Sequence, residues 1–136
     1  MITSNRKGQL AVSKVELRAI ELGFTPSRPL MDARYNLIID DGKSLSRVQI
    51  KYANGTSTNT VGAVTVNLAY ETRGRSRVYT YQKSEVEALI VYIPRIDKLC
   101  WFPSQTFVGK KELSIRIELP RNGQKRGIFY ASDYYW

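Results

Sequence analysis

The stretch Arg47-Val48-Gln49-Ile50-Lys51 decides how this chain is read. It alternates strictly, with Val48 and Ile50 on one side and Arg47, Gln49 and Lys51 on the other, the period of a β-strand buried on one face. A core explains the apolar pair. A polar face carrying an amide and an ammonium two residues apart is most simply a solvated one. It becomes a site only if neighbouring segments deliver further ligands to the same place.

Immediately upstream, Arg34-Tyr35-Asn36-Leu37-Ile38-Ile39-Asp40 reads as a strand, Asp41-Gly42 as a turn, and Leu45 to Ala53 as the returning strand. The resulting hairpin is expected to set Asn36 opposite or diagonal to Gln49 and Lys51. Asn36 shares their face only if the register sets it against odd-numbered positions.

Ahead of the hairpin, Ala11, Val15, Ala19 and Leu22 recur at helical spacing, which predicts an amphipathic helix from Lys7 to Leu22, with Leu10, Val12, Leu17 and Ile20 broadening its apolar stripe. Gly23 is placed to cap it, and Pro26 and Pro29 keep the next segment extended. Beyond the hairpin, Val61 to Tyr70 alternates as a third strand and Arg73-Gly74-Arg75-Ser76-Arg77 is a basic loop. Ser84 with Glu87 has the spacing of a capping box, and Ala88 to Ile93 is a buried strand ended by Pro94. Leu99 to Phe102 returns from it, Ser104 to Val108 suits one turn of helix, and Leu113 to Leu119 alternates as a last strand. The tail from Pro120 to Trp136 is basic and aromatic, so it is expected to dock on the body or on a second subunit.

With 136 residues, the chain suits one domain, with its core over about 7–119 and a tail over 120–136. Hydrophobic residues make up 43%, enough for a core and against wholesale disorder. Lys and Arg number 21 against 12 Asp and Glu, a net +9, which favours a polyanionic partner, nucleic acid before an anionic membrane. The single cysteine, Cys100, rules out a disulfide framework and suits a small core residue. No histidine is present, which removes Ser-His-Asp and Cys-His sites and His-ligated zinc. No apolar run is long enough to cross a bilayer, and Met1 to Lys7 lacks the apolar core of a secretion signal. A soluble protein of the cytoplasm is expected.

The order of elements, with Asn36 on the first hairpin strand and Gln49-Ile50-Lys51 on the second, resembles the PD-(D/E)XK nuclease superfamily. Its pattern is Pro-Asp, a gap, then Asp/Glu-x-Lys. Lys7-Gly8 with Ala11, Tyr35-Asn36-Leu37, Val48 to Lys51, and Glu87 to Pro94 after Tyr79-Thr80 extend the likeness over roughly Lys7 to Phe102. They resemble the branch holding archaeal Holliday-junction-resolvase-like enzymes and, more closely, the cyanobacterial homing endonucleases encoded in group I introns. The resemblance implies an α/β (α+β) fold with a restriction-endonuclease-like core, the N-terminal helix packed on a mixed β-sheet whose central hairpin carries the active site. It also implies a bacterial endonuclease that hydrolyses double-stranded DNA at an intron insertion site, working as a dimer or tetramer.

On this resemblance Asn36, Gln49, Lys51 and Glu16 are the catalytic candidates. Mg²⁺ or Mn²⁺ would be held by side-chain oxygens of Asn36, Gln49 and Glu16 and by the Ile50 carbonyl, since a hard ion takes oxygen ligands and activates water against phosphorus. Lys51 would orient or deprotonate that water. Two departures stand out: relatives carry Asp where this chain has Asn36, and many carry Glu where it has Val12, leaving Glu16 one turn on as a substitute. With Gln49 also neutral, the hairpin offers the ion no negative charge at the site and should bind metal weakly and cut poorly. DNA contacts are expected from Asn54, Thr56, Ser57, Asn67, Arg73, Arg75 and Arg77 on bases, and from Lys110 and Lys111 on phosphates. A junction-selective nuclease and a non-catalytic DNA-binding protein remain the alternatives.

Overall fold

The structure, a computed structural model, describes residues 2–55, 62–71, 78–118 and 128–136. Its first element is helix α1, Ser4–Glu21, three residues longer at its start than the apolar pattern predicts because the Thr3 hydroxyl accepts the Arg6 N–H and opens the helix there. Gly23, at φ +80°, closes it: the Gly23 N–H reaches the Ile20 carbonyl and the Phe24 N–H reaches that of Ala19.

Five strands form the main sheet: β1 (Thr25–Ser27), β2 (Leu37–Asp40), β3 (Leu45–Tyr52), β7 (Ala88–Ile93) and β8 (Lys98–Pro103), side by side in that order. Between β3 and β7 the chain makes β4 (Ala63–Asn67) and the small pair β5 (Tyr70–Glu71) and β6 (Val78–Tyr79). After β8 come the single turn α2 (Ser104–Phe107), β9 (Glu112–Arg116), β10 (Phe129–Tyr130) and a 3-10 turn at Ala131–Asp133. The sheet is mixed: β2 and β3 are the antiparallel hairpin, and β7 lies parallel to β3.

The strand expected over Val61 to Tyr70 does not extend this sheet. Its described part, β4, pairs antiparallel with β9, and β10 adds parallel to β9 to make a second, three-stranded sheet. Val66 and Leu68 alternate inward there, and with Leu113 and Ile115 they bury against Leu89, Val91, Cys100 and Phe102 on one face of the main sheet. The opposite face packs under α1 through Leu37, Ile39, Val48, Ile50, Ile90 and Tyr92.

Other expectations are corrected by the packing. The first hairpin strand begins at Leu37, not Arg34. Only Ala11, Val15 and Ala19 of α1 are buried, with Val12 partly so; Leu10, Leu17 and Ile20 point to solvent, because a helix lying on a flat sheet buries one narrow stripe. Ser84 and Glu87 form no capping box. The turn before β7 is closed instead by Glu85, which accepts the Gln82 N–H, while Glu87 accepts the main-chain N–H and guanidinium of Arg47. The aromatic tail docks on the body: Trp136 packs at a tilt against Trp101 and Tyr134 against Phe102. Cys100 is buried, and burial pushes its thiol up to about 12. No helix among the described residues is long and apolar enough to cross a membrane.

Candidate active site on the central hairpin

The hairpin register pairs Leu37 with Val48, Ile38 with Arg47, and Ile39 with Ser46. Even positions of β2 therefore meet odd positions of β3, the register on which the sharing of one face by Asn36, Gln49 and Lys51 depends. Gln49 and Lys51 pair with Leu89 and Val91 of β7, so both lie on the face away from α1. All three side chains are half-buried.

Asn36 sits where β2 leaves the ladder. Its N–H still donates to the Val48 carbonyl at 2.9 Å, and its side-chain Oδ1 accepts the Ile50 N–H at 2.7 Å. The side chain thus supplies the acceptor that a continued strand would have supplied from its main chain. The consequence is chemical: the Asn36 amide carries no charge, its oxygen already gives one lone pair to Ile50, and its nitrogen is a donor, which repels a cation.

Lys51 is the second feature. Its ammonium lies 5.9 Å from the centre of the Tyr81 ring, and the Arg34 guanidinium lies 4.5 Å from the same centre. Burial first, and the positive charge of Arg34 second, hold the Lys51 ammonium below the usual lysine pKa. Arg34 in turn donates from Nε to Glu85 at 2.9 Å. Arg34, Tyr81 and Glu85 were not among the sequence candidates. Arg34 had one usable signal, its place two residues before Asn36; Tyr81 and Glu85 reach the hairpin only through tertiary packing, 51 residues separating the Arg34–Glu85 partners.

Glu16 is not brought to the hairpin. It stands on α1, over the opposite face, and forms a two-pronged pair with Arg28 at 2.6 and 3.0 Å. Val12 packs into the core beneath α1. Among the described residues no group of three or more His, Cys, Asp or Glu comes together. Among the described residues, the hairpin itself offers an ion beside Lys51 two neutral amides and a main-chain carbonyl, the Glu85 carboxylate is taken up by Arg34 and the Gln82 N–H, and a hard divalent ion needs carboxylate charge. This set does not fit Mg²⁺ or Mn²⁺.

Of the expected DNA contacts, Asn54 is exposed just past the end of β3. Asn67 is exposed and its Oδ1 accepts the Ala69 N–H, closing a local turn. Lys110 and Lys111 are exposed ahead of β9, Lys110 lying 4.5 Å over the Phe129 ring. Thr56, Ser57, Arg73, Arg75 and Arg77 lie outside the described residues.

The sequence profile of the PD-(D/E)XK endonuclease family matches residues 2–136. None of the curated proteins matches the chain in sequence. Among solved structures, the bacterial homing endonuclease I-Ssp6803I is similar at a TM-score of 0.80 and 20% identity, covering 98% of this chain and 88% of its own. Hjc, a Holliday junction resolvase from the archaeal hyperthermophile Archaeoglobus fulgidus, is similar at a TM-score of 0.53 and 15% identity, over 88% of this chain and 92% of its own. The shared fold is the restriction-endonuclease-like one that the resemblance implied.

Proposed function

The chain belongs to the PD-(D/E)XK endonuclease family, and from that premise we propose that it is a site-specific DNA endonuclease of the homing kind whose cutting is held down by Asn36. The observation that carries this reading is the hairpin itself: Gln49 and Lys51 share the half-buried face away from α1, and Asn36, at the end of β2, is bound to the N–H of Ile50 between them. The net charge of +9 suits a double-stranded DNA partner.

Nucleases of this family typically use a divalent metal, which activates water and offsets charge growing on the phosphate oxygens. The donors present do not fit that ion, so the roles assigned here belong to the chain alone. Lys51 places a positive charge where the phosphate becomes more negative, and Gln49 orients the phosphate or the water by hydrogen bonding. Asn36 fixes the strand end through Ile50. An aspartate at position 36 would keep that hydrogen bond with one oxygen and turn the other toward the cleft, bringing a negative charge shared between the two.

One hairpin cuts one strand, so a double-strand break at an intron insertion site calls for a homodimer or a tetramer with two-fold symmetry, acting at DNA in the bacterial cytoplasm. The test is cleavage by the Asn36→Asp protein, with Mg²⁺ or Mn²⁺, of a linear duplex holding an intron insertion site and of a four-way junction. Cutting of the linear site supports the homing reading. Cutting of the junction alone replaces it with a resolvase, and tight binding without any cutting replaces it with a non-catalytic DNA-binding protein.

A further inference from the structure

We propose that Tyr81, locked in place beside Arg34 and Glu85, is the residue that positions the Lys51 ammonium in the cleft; the assignment of its purpose rests on the nuclease reading above. Lysine carries a compact charge on a flexible four-carbon stem, so a half-buried lysine needs something to choose among its rotamers. No ion pair among the described residues includes Lys51. What the ammonium meets is the face of Tyr81, at 5.9 Å from the ring centre. The negative face of an aromatic ring attracts a cation at that range, more strongly where water is thin.

The ring itself is fixed. Tyr81 is 6% exposed and belongs to the core cluster with Val86, Leu89 and Val91. Its carbonyl accepts the Gly109 N–H at 3.1 Å, tying the segment to the turn after α2. Arg34 lies against the same ring at 4.5 Å, held by Glu85 at 2.9 Å, and the other Glu85 oxygen accepts the Gln82 N–H at 2.9 Å. A like charge so placed discourages the ammonium from swinging toward position 34. Attraction from the ring and repulsion from Arg34 together leave Lys51 one preferred place, over the face of Tyr81. Tyr81 is thus a positioning residue that acts through Lys51.

The inference is tested first without any cleavage. In the ¹³C-labelled protein, the Lys51 Hε resonances, assigned by their loss in Lys51→Arg, should lie upfield of those of a free lysine because of the Tyr81 ring current. Tyr81→Phe should keep that shift and Tyr81→Leu should remove it. An unshifted Lys51 in the unaltered protein, or a shift that survives in a folded Tyr81→Leu protein, overturns the assignment; the first of these needs no variant to fold. In the Asn36→Asp background, Tyr81→Leu should slow single-turnover cleavage about tenfold, the effect of losing one partly desolvated cation–π contact. DNA affinity in EDTA should be unchanged, and Tyr81→Phe should restore the rate. Equal losses of rate and affinity would make Tyr81 merely structural and overturn the assignment. If the Asn36→Asp protein is inert, the nuclease reading fails while the resonance shift still decides whether Tyr81 holds Lys51.

Discussion

The two faces of β3 are built from alternate residues of one strand, yet they are held in different ways. Val48 and Ile50, 0% and 6% exposed, sit under α1 in a layer of apolar side chains. Gln49 and Lys51 stay half-buried on the other face, where directed contacts run from Lys51 to Tyr81, from Tyr81 to Arg34, from Arg34 to Glu85, and from Asn36 to the N–H of Ile50. Burial secures the first face almost regardless of detail. The second depends on individual atoms, so a change of one nitrogen for one oxygen alters what it can do.

That contrast is open to direct attack. The largest effect is expected from Asn36→Asp: one carboxylate oxygen facing the cleft should raise Mg²⁺-dependent cleavage on the order of 10²-fold or more, several kcal/mol of transition-state stabilisation. Stability should change little, since the bond to the Ile50 N–H is retained. Next, Ile50→Ala should cost about 2–5 kcal/mol in urea unfolding through the cavity left beneath α1. Gln49→Ala should cost less than about 1 kcal/mol, and comparable costs at the two positions would show that the faces are energetically alike.

A smaller effect concerns the ion pair that ties the start of β3 to the start of β7. Hydrogen bonding from Arg47, before any other cause, holds the Glu87 carboxyl below its ordinary value of 4.5. A lowered folded value means that the contribution is fully present above the unfolded value and is lost as pH falls through the folded one. The Glu87 side chain is 42% exposed, so the contribution is modest and screened by salt. The stability gap between the unaltered protein and Glu87→Gln should therefore shrink between neutral pH and about pH 3. A gap constant across that range, by denaturant titration at each pH, would assign Glu87 a purely geometric role. Smallest of all, Leu17→Gln on the solvent side of α1 should move stability by less than about 0.5 kcal/mol in thermal unfolding, because Leu17 is 56% exposed.

Alternation and turn chemistry made the hairpin legible from the residues alone: Val48 and Ile50 announce a buried face, and Asp41-Gly42 announces the reversal, with Gly42 at φ +87°. The helix was legible for the same reason, but its outer leucines were not, since an apolar residue one position round the helix looks identical in sequence whether a sheet reaches it or not. Pairing of β4 with β9 was hidden because nothing local distinguishes the next strand of one sheet from the first of another. Of the candidate site, the shared face of Gln49 and Lys51 could be read from alternation, whereas the nearness of Tyr81 and Glu85 could not, since it arises only when the turn before β7 folds back on residue 34. The pairing of Glu16 with Arg28 was likewise out of reach, since it depends on where the segment after α1 passes the helix.

The docked tail has a further consequence, for the company the protein keeps in concentrated solution. An outermost strand offers unpaired N–H and C=O groups to any other chain, and such rows are templates for runaway sheet growth. On one side of the main sheet the outermost strand is three residues long and contains Pro26, which has no N–H to offer. On the other, β8 would be open were it not for the tail: the Trp101 N–H donates to the Tyr134 carbonyl, and the Trp136 N–H donates to the Leu99 carbonyl. The final aromatic residues thus act as a built-in guard against aggregation, and cutting them away would leave a sheet ready to adhere to its neighbours.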